Sequence, residues 1–305
     1  MVSLSDIRAF YRGRIEVQEP LDCHTWMHVG GPADVYAEPA DRDDLIALVH
    51  HLHASSTAFT VLGRGSNLLV SDDGIRGVVL NIETCLSGIR MDGGVVAAEG
   101  GARLTKFVDF CVTHGYAGVE MLAGIPGTVG GAVVMNAGAH GGETADHIVD
   151  VEVLRGGAVL TVPKAEGRFA YRRSGFANDL VLSARFQLPA GDKEALAKKR
   201  RELILRRNET QPLGLPNLGS MFKNPAGTYA AKLIEEAGLK GLRIGNAQVS
   251  EKHANFMVNL GGATAADFIS LIRRVRTTVQ DRSGIRLELE VKLVGFPDDV
   301  KASVS

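Results

Sequence analysis

The sequence has few cysteines, and this shortage argues against two common ways of stabilising a fold. Only three of its 305 residues are cysteines, Cys23, Cys85 and Cys111, and they are widely spaced. An odd number of separated thiols argues against both a disulfide framework and a zinc site. We therefore expect no metal and a reducing compartment.

Net charge and long apolar runs are also lacking. The formal net charge is −1, so there is no general basic field that would attract nucleic acid or an anionic membrane. No apolar run approaches the roughly 18–20 residues that span a bilayer. The first residues, "MVSLSDIRAFYRGRIE", lack the apolar core of a secretory signal. We expect a cytoplasmic protein with no membrane or nucleic-acid partner.

Glycine, in contrast, is abundant. The chain has 36 glycines, well above the usual ~7% of residues, and they are concentrated between Gly115 and Gly142. No short repeat accompanies them, so collagen-like and linker classes are excluded. What remains is backbone that turns tightly or lies close to a ligand.

Periodicity predicts a mixed chain of the α+β class. Apolar stripes and capping residues predict helices, and several short β-rich runs lie between them. The predicted helices are 42–53 (with Asp41 as N-cap), 103–114 (ended by Gly115), 192–209, 229–238 and 265–282 (with Thr264 and Asp267 as a capping box). From 124 to 188 the pattern is turn-rich β structure, and a strand "RLELEVKLVG" closes the chain.

The composition of the sequence changes from turn-rich β segments to a charged segment after Pro189-Ala190-Gly191, and we place a domain boundary near residue 190. The helix that follows, 192–209, is rich in lysine and arginine, but glutamates interleave with them. A solvated helix face explains this pattern better than a site for a phosphate backbone.

The first glycine motif is "VLGRGSNLLV". A strand ends at Leu62, and Gly63-x-Gly65-Ser66-Asn67 follows, a turn whose consecutive N–H groups suit an anion. A plain β-turn explains a lone motif of this kind equally well. A Rossmann fingerprint is excluded although Glu83 lies about 20 residues on, because that motif needs a helix directly after the glycines.

The second glycine motif, "AGIPGTVGGAVVMNAGAHGGE" (123–143), is harder to explain by turns alone. Pro126-Gly127 and Gly130-Gly131 make two tight turns, and Asn136 adds a polar group between small residues. A buried loop of this kind leaves amides unpaired unless a ligand satisfies them. The two motifs together predict a dinucleotide held by strand-and-turn backbone rather than by a helix terminus.

Five motifs occur in a characteristic order: "LGRGSNLLVSDDGIRGVV", "AGIPGTVGGAVVMNAGAHGGE", "YRRSGF", "GSMFKNP" and "LELEV". In this the chain resembles the UDP-N-acetylenolpyruvoylglucosamine reductase (UDP-N-acetylmuramate dehydrogenase) family. The resemblance runs from about Thr25 to Gly295 and is greatest to the shorter, type II branch, since about 20 residues link "YRRSGF" to the helix at 192.

The resemblance implies an α+β fold with an FAD-binding domain of the vanillyl-alcohol-oxidase (PCMH) type, followed by a smaller α+β substrate-binding domain. These domains are an FAD-binding region 1–190 with subdomains at about 20–80 and 81–190, a substrate-binding domain 191–296, and a tail 297–305. It also implies a non-covalent FAD that NADPH reduces, and a UDP-sugar enolpyruvyl ether as substrate. The product serves peptidoglycan synthesis.

The resemblance also assigns site residues. Ser220 matches the family's proton donor, and Arg172 and Glu290 match its other catalytic positions; Tyr171, Lys223 and Asn224 are expected at the substrate. The expected cofactor residues are Gly63, Arg64, Gly65, Ser66, Asn67, Leu68, Gly124, Ile125, Pro126, Gly127, Gly130, Gly131, Asn136 and Ala137.

The residues themselves leave alternatives open. A Gly-Ser pair before a helix is usually a turn or cap, and arginines near turns are ordinary. Alternation along the closing strand places Glu288 and Glu290 on the same polar face and cannot choose between them. The family often has proline where Leu289 stands. A flavin oxidase for a small alcohol or sugar, and a binding protein without turnover, are the rival functions.

Overall fold

The computed structural model describes residues 4–92 and 94–304. The first three residues and Gly93 of the predicted region 1–190, and the last residue of the predicted tail 297–305, lie outside the described residues. Within the described ranges, no helix is both long and apolar enough to cross a membrane.

The described residues form eight helices and seventeen strands, which supports the α+β class. The helices are α1 (Leu4–Arg8), α2 (Arg42–Ala54), α3 (Leu104–His114), α4 (Val129–Met135), α5 (Lys193–Thr210), α6 (Ala230–Glu236), α7 (Ala265–Ser283) and α8 (Asp298–Val304). The strands are β1 (Arg14–Pro20), β2 (Pro32–Glu38), β3 (Phe59–Leu62), β4 (Leu68–Val70), β5 (Ile75–Asn81), β6 (Ile89–Asp92), β7 (Val95–Glu99), β8 (Gly138–Ala139), β9 (Gly142–Glu143), β10 (Ile148–Arg155), β11 (Ala158–Pro163), β12 (Leu180–Phe186), β13 (Asn217–Ser220), β14 (Arg243–Ile244), β15 (Ala247–Val249), β16 (Phe256–Asn259) and β17 (Lys292–Val294).

The chain divides into two compact units, each made of several segments. The first unit comprises residues up to Val17, 35–64 and 77–207, and the second comprises 18–34, 65–76 and the chain from Asn208 onward. The division after Arg207 differs from the boundary that the sequence predicts near 190. The physical reason is that α5 belongs to the first unit through Leu196, which is buried in the core of that unit.

The first unit contains two large sheets with their helices, and the short pair β8–β9. One sheet has the strand order β1–β2–β5–β3, with β3 and β5 parallel, and its core includes the apolar face of α2. The predicted start of α2 is confirmed, because the side chain of Asp41 accepts a hydrogen bond from the amide of Asp44. The other sheet has the order β11–β10–β12–β7–β6 and is antiparallel.

Helices α3 and α4 contribute to the core of that antiparallel sheet. Helix α3 ends as predicted at Gly115, which adopts the left-handed conformation (φ 77°). Helix α4 was not predicted. The sequence indicates turns and strands from 124 onward, but Thr128 caps a short helix here, and its side chain accepts a hydrogen bond from the amide of Gly131. The cap and five apolar residues outweigh the low helix propensity of two glycines.

The second unit is built on the antiparallel sheet β13–β16–β15–β14, with α6 and α7 packed into its core. The capping box of α7, Thr264 with Asp267, is confirmed. Side-chain hydrogen bonds from the exposed Asp72 and the buried Asn259 join segments distant in sequence within this unit. The carboxylate of Asp72 accepts hydrogen bonds from the first amides of α7 (2.7 and 2.9 Å), and Asn259 Nδ2 donates to the carbonyl of Met27 (3.0 Å).

The predicted closing strand is shorter than the sequence indicates. Only β17 is regular, and it pairs in parallel with β4, while Leu289 forms an isolated bridge with Phe222. The alternation of burial is nevertheless as predicted, since Leu287 and Val291 are buried and Glu288 is exposed. The segment is extended because its side chains alternate between core and solvent, but only its last residues have a neighbouring strand.

Candidate active site

The loop that carries Ser220 is shaped by a glycine and an asparagine. Gly219 has φ 75°, a conformation that favours glycine, and it turns the chain immediately before Ser220. The side chain of Asn217, which is buried, accepts the amide of Gly219 (3.0 Å) and donates to the carbonyls of Pro212 and Leu215 (3.3 and 2.8 Å). The turn is therefore held from inside the fold, and Ser220 follows at its exit.

The hydroxyl of Ser220 is half-buried and makes no hydrogen bond with any residue that the structure describes. A serine used only as a cap or turn would bond to a nearby amide or carbonyl. The hydroxyl is thus available to a ligand, which favours the functional interpretation of Ser220 over the structural one.

Asn255 fixes the residues after Ser220. Its backbone carbonyl accepts a hydrogen bond from the amide of Met221 (2.8 Å). Its side chain makes two hydrogen bonds with the backbone of Phe222: Oδ1 accepts one from the amide (3.0 Å), and Nδ2 donates one to the carbonyl (2.8 Å). Asn255 is almost fully buried. The sequence analysis did not identify this residue, because its partners lie more than thirty positions away and no local motif marks it.

Glu290 lies beside the same loop. Its amide donates to the carbonyl of Met221 (2.9 Å), and its own carbonyl accepts the side-chain amide of Asn67 (3.3 Å). Asn67 is bonded again through its carbonyl, which accepts the amide of Lys292 (3.0 Å). The second unit therefore brings Ser220, Glu290 and Asn67 together, three residues that the sequence assigns to the site from separate motifs.

The structure also separates the two glutamates that alternation could not distinguish. Glu288 is exposed and forms an ion pair with Lys223, whose amide bonds to the Glu288 carbonyl (2.9 Å). Glu290 is partly buried and lies next to the serine loop. This supports Glu290 as the site residue. Of the predicted substrate residues, Asn224 has a structural contact as well, because its Oδ1 accepts the amide of Ala230 at the start of α6 (3.1 Å).

Arg172 lies in the first unit, on the "YRRSGF" loop. Its backbone has φ 55°, a strained conformation for a residue with a side chain. Its guanidinium donates to the carbonyl of Gly138 (2.8 Å) and stacks over the ring of Tyr171, 4.8 Å from the centroid. These contacts orient Arg172 toward the end of the second glycine motif, and Tyr171 is exposed beside it.

Asn136 joins the same loop to the second glycine motif. It is buried and left-handed (φ 42°) at the end of α4. Its Nδ2 donates to Glu143 (2.7 Å) and to the carbonyl of Ala170 (3.2 Å), and its Oδ1 accepts the amide of Ala145 (3.0 Å). The carbonyl of Ala137 accepts the amide of Thr144 (2.8 Å). Both residues thus hold the loop's shape, and a cofactor contact for them stays a prediction.

The two glycine motifs meet within the first unit. A side chain at Gly63 would begin 2.8 Å from the hydroxyl of Thr128, so only glycine fits there. Gly124 and Gly127 are left-handed (φ 75° and 129°). Among the described residues, the amides of these three glycines have no hydrogen-bond acceptor. Unpaired N–H groups at a surface formed by glycines suit an anionic ligand.

Residues 64–68 continue the first motif. Arg64 pairs with Glu83 (3.1 Å), which also pairs with Arg103 (2.6 Å). Gly65 is buried, and within the described ranges its amide too lacks an acceptor. Ser66 and Asn67 form a turn that leads into β4 at Leu68, so the absence of a helix that excluded a Rossmann fingerprint is confirmed.

Other amides of the second motif are satisfied within the chain. Ile125 donates to the carbonyl of Leu122 (3.1 Å), Gly130 donates to that of Gly100 (2.8 Å), and Gly131 donates to Thr128 (3.3 Å). A side chain at Gly130 would lie 2.9 Å from the Gly100 carbonyl oxygen, so this glycine permits close packing. Contacts of a cofactor with Ile125, Pro126, Gly130 and Gly131 remain predictions.

Arg207, near the end of α5, has surroundings that the sequence analysis did not anticipate. It is buried, and its guanidinium makes no hydrogen bond or ion pair with any described residue; Nε is fully enclosed. Burial lowers the pKa of Arg207 to about 10. The side chain lies against Gly124: a Cβ atom added at this glycine would be 3.2 Å from Cδ of Arg207. The sequence does not distinguish Arg207 from the other lysines and arginines of the same helix.

The pKa of His140 is lowered by burial and by the neighbouring charges of Arg206 and Arg207. The imidazole is therefore kept neutral near a buried, uncompensated cation. A buried charge without a partner is costly and is tolerated where a ligand supplies the counter-charge. The glycine surface and Arg207 together fit an anionic dinucleotide such as FAD.

The contacts of Asn255 give a first testable prediction. Asn255→Ala leaves the buried amide and carbonyl of Phe222 unpaired, at a cost of about 1–3 kcal/mol. We expect the urea midpoint of the holoenzyme to fall accordingly and reduction of the sugar substrate to slow, since Ser220 is no longer held. Asn208→Ala, which removes an exposed amide, is the control and should change stability by less than ~0.5 kcal/mol. Equal effects of both variants would contradict this role.

Comparison with known proteins agrees with this geometry. A family model described as an FAD binding domain matches residues 33–162, and one described as the UDP-N-acetylenolpyruvoylglucosamine reductase C-terminal domain matches 211–294. The first range contains both glycine motifs, and the second contains Ser220 and Glu290. The predicted FAD-binding domain is thereby confirmed.

Full-length relatives carry the same name. UDP-N-acetylenolpyruvoylglucosamine reductase from Chloroherpeton thalassium is 44% identical over 99% of this chain and 100% of its own length. A second, from Symbiobacterium thermophilum, is 47% identical over 93% of each chain. The crystal structure of the enzyme from Thermus caldophilus superimposes with a TM-score of 0.78 at 36% identity, covering 93% of this chain and all of that one. The chain belongs to the UDP-N-acetylenolpyruvoylglucosamine reductase family.

Proposed function

We propose that this chain reduces UDP-N-acetyl-3-O-(1-carboxyvinyl)-glucosamine to UDP-N-acetylmuramate, with NADPH as reductant and a non-covalent FAD, as a step of peptidoglycan precursor synthesis in the cytoplasm. Family membership over nearly the whole chain supports the reaction. The single structural observation that carries it is the hydroxyl of Ser220, which has no hydrogen-bond partner among the described residues. Buried asparagines hold its loop, and the loop is bonded to Glu290.

The division of labour follows the predicted domains, with Arg207 as an addition from beyond the predicted boundary. Residues up to about 190 hold FAD, through the amides of Gly63, Gly65, Gly124 and Gly127. Residues from 191 to about 296 bind the sugar nucleotide. Arg207, at the end of α5, supplies a positive charge to an anionic part of the cofactor. Glycine is required where the backbone must approach phosphate closely, and unpaired N–H groups in such turns bind anions.

When bound and reduced by NADPH, FAD would supply the hydride for the β-carbon of the enolpyruvyl group. Ser220 then donates a proton to the α-carbon, so that one carbon–carbon double bond becomes a single bond. General acid catalysis needs a donor whose proton is not tied to another group. The hydroxyl of Ser220 meets this condition, since no described residue accepts its proton.

Arg172 and Glu290 assist this step. As hydride adds, negative charge grows toward the substrate carboxylate, and a guanidinium binds a carboxylate with two parallel hydrogen bonds. The contacts of Arg172 with Gly138 and Tyr171 fix its orientation in advance, which lowers the cost of ordering it at the moment of reaction. Glu290 assists by hydrogen bonding near the transferred proton. Lys223 and Asn224 orient the substrate or the serine loop.

The absorbance spectrum of the purified protein tests this proposal. We expect a yellow protein whose flavin is bleached by NADPH without oxygen and recoloured by one equivalent of the enolpyruvyl sugar nucleotide. NADH in place of NADPH serves as a comparison. A colourless preparation that takes up no FAD would overturn the proposal, and so would a reduced flavin that oxygen reoxidises rapidly while the sugar nucleotide has no effect.

A further inference from the structure

Three metal-ligating side chains lie together at the end of β1 and on the turn that follows it, and none of them belongs to the residues assigned above. Glu19, Cys23 and His24 offer a carboxylate oxygen, a sulfur and a ring nitrogen that all lie within 4.8 Å of one another. Nε2 of His24 is 2.9 Å from Oε1 of Glu19. These two side chains are largely buried, whereas Cys23 is exposed. A small ion can therefore reach the cluster from solvent.

The fold holds the turn in place before any ion binds. Leu21, between Glu19 and the other two side chains, is fully buried, and its carbonyl accepts the amide of His24 (3.0 Å). On the far side, Thr25 is buried and donates its hydroxyl to the carbonyl of Val29 (2.8 Å). Because both flanks are anchored, binding an ion requires mainly side-chain rotation and costs little chain entropy.

Distances and charge both suit a divalent ion. Metal–ligand bonds of about 2.0–2.3 Å in a tetrahedral site place the ligand atoms about 3.3–3.8 Å apart. The cluster comes close to this spacing, and small rotations of Glu19 and Cys23 would complete it. A carboxylate and a thiolate together carry two negative charges, which one divalent ion neutralises. Cysteine sulfur, histidine nitrogen and carboxylate oxygen are each ligands that zinc accepts.

We propose that Glu19, Cys23 and His24 bind one zinc ion, with water at the fourth position. The cysteines alone led to the expectation of no metal, and that expectation is revised here. Because only one cysteine takes part, the spacing between cysteines carries no signal for this site. The site also depends on the turn after β1, which places Cys23 and His24 beside Glu19.

Zinc titration of the FAD-loaded protein against a chromophoric chelator tests the site. We expect one equivalent to bind, and Glu19→Gln, Cys23→Ser and His24→Ala each to weaken binding at least tenfold. Cys85→Ser removes a thiol elsewhere in the chain and should bind zinc like the natural sequence. Flavin content and unfolding temperature establish that each variant is folded. No stoichiometric binding, or binding that survives all three substitutions, would overturn the proposal.

A second measurement needs no variant. Burial raises the pKa values of the Cys85 and Cys111 thiols to about 12, so Cys23 is the thiol that reacts readily with iodoacetamide at neutral pH. Zinc should slow alkylation of the Cys23 peptide at least tenfold, as followed by mass spectrometry, and magnesium should not. Equal alkylation rates with and without zinc would exclude Cys23 as a ligand and overturn the site.

Discussion

Ser220→Ala should leave reduction of the flavin by NADPH within about twofold of the natural rate while slowing reoxidation by the sugar substrate by at least ~10²-fold. General acids contribute about 10²–10⁴-fold, and in the proposed mechanism the donor acts only in the second half-reaction. The two half-reactions are measured separately by anaerobic stopped-flow absorbance. The alanine removes a hydroxyl that bonds to no described residue, so stability should barely change.

Two further variants separate loss of a proton donor from a change in shape. Ser220→Cys keeps an ionisable proton at the same position and should recover at least tenfold of the rate that alanine loses. Ser87→Ala removes an exposed hydroxyl in the first unit and should leave both half-reactions unchanged. Equal slowing of both half-reactions by Ser220→Ala would show instead that the loop supports the flavin and that Ser220 is not the donor.

Much of the fold was predictable because its signals are local. The cap of α2 at Asp41, the end of α3 at Gly115 and the capping box of α7 each depend on residues within four positions of one another. Alternating burial before β17 was equally visible. Helix α4 was missed because Gly130 and Gly131 lower helix propensity, while the cap that compensates for them is a single threonine.

The features that escaped prediction depend on contacts between distant residues. Asn255 and Asn217 hold the serine loop, yet neither belongs to a recognisable catalytic pattern, and their role follows only from which backbone groups they meet. Alternation alone could not distinguish Glu290 from Glu288, because both lie on one face of an extended segment. The resemblance selects Glu290, and its partial burial beside the serine loop supports that assignment. The second unit combines residues 18–34 and 65–76 with the C-terminal part, an arrangement that no composition shift reveals.

The buried charge of Arg207 should lower the stability of the cofactor-free protein and strengthen the binding of FAD. Its pKa in the fold is about 10, below the ordinary value of a guanidinium, so at neutral pH the folded protein without cofactor holds a charged group at a cost of about 3 kcal/mol. This penalty applies below the lowered pKa and disappears as pH rises above it, because the group then binds fewer protons in the folded than in the unfolded chain. Arg207→Met keeps the length of the side chain and removes the charge.

We therefore expect Arg207→Met to act in opposite directions on the two forms of the protein. Without FAD, the variant should be more stable to urea, by up to about 3 kcal/mol, because an unpaired buried charge is gone. With FAD, binding should weaken about tenfold to a hundredfold, the value of a hydrogen bond to a charged group. Arg206→Met removes the same charge from an exposed neighbour and should change both quantities little. If Arg207→Met instead destabilises the cofactor-free protein and leaves FAD affinity unchanged, the guanidinium supports packing of α5 and has no role at the cofactor.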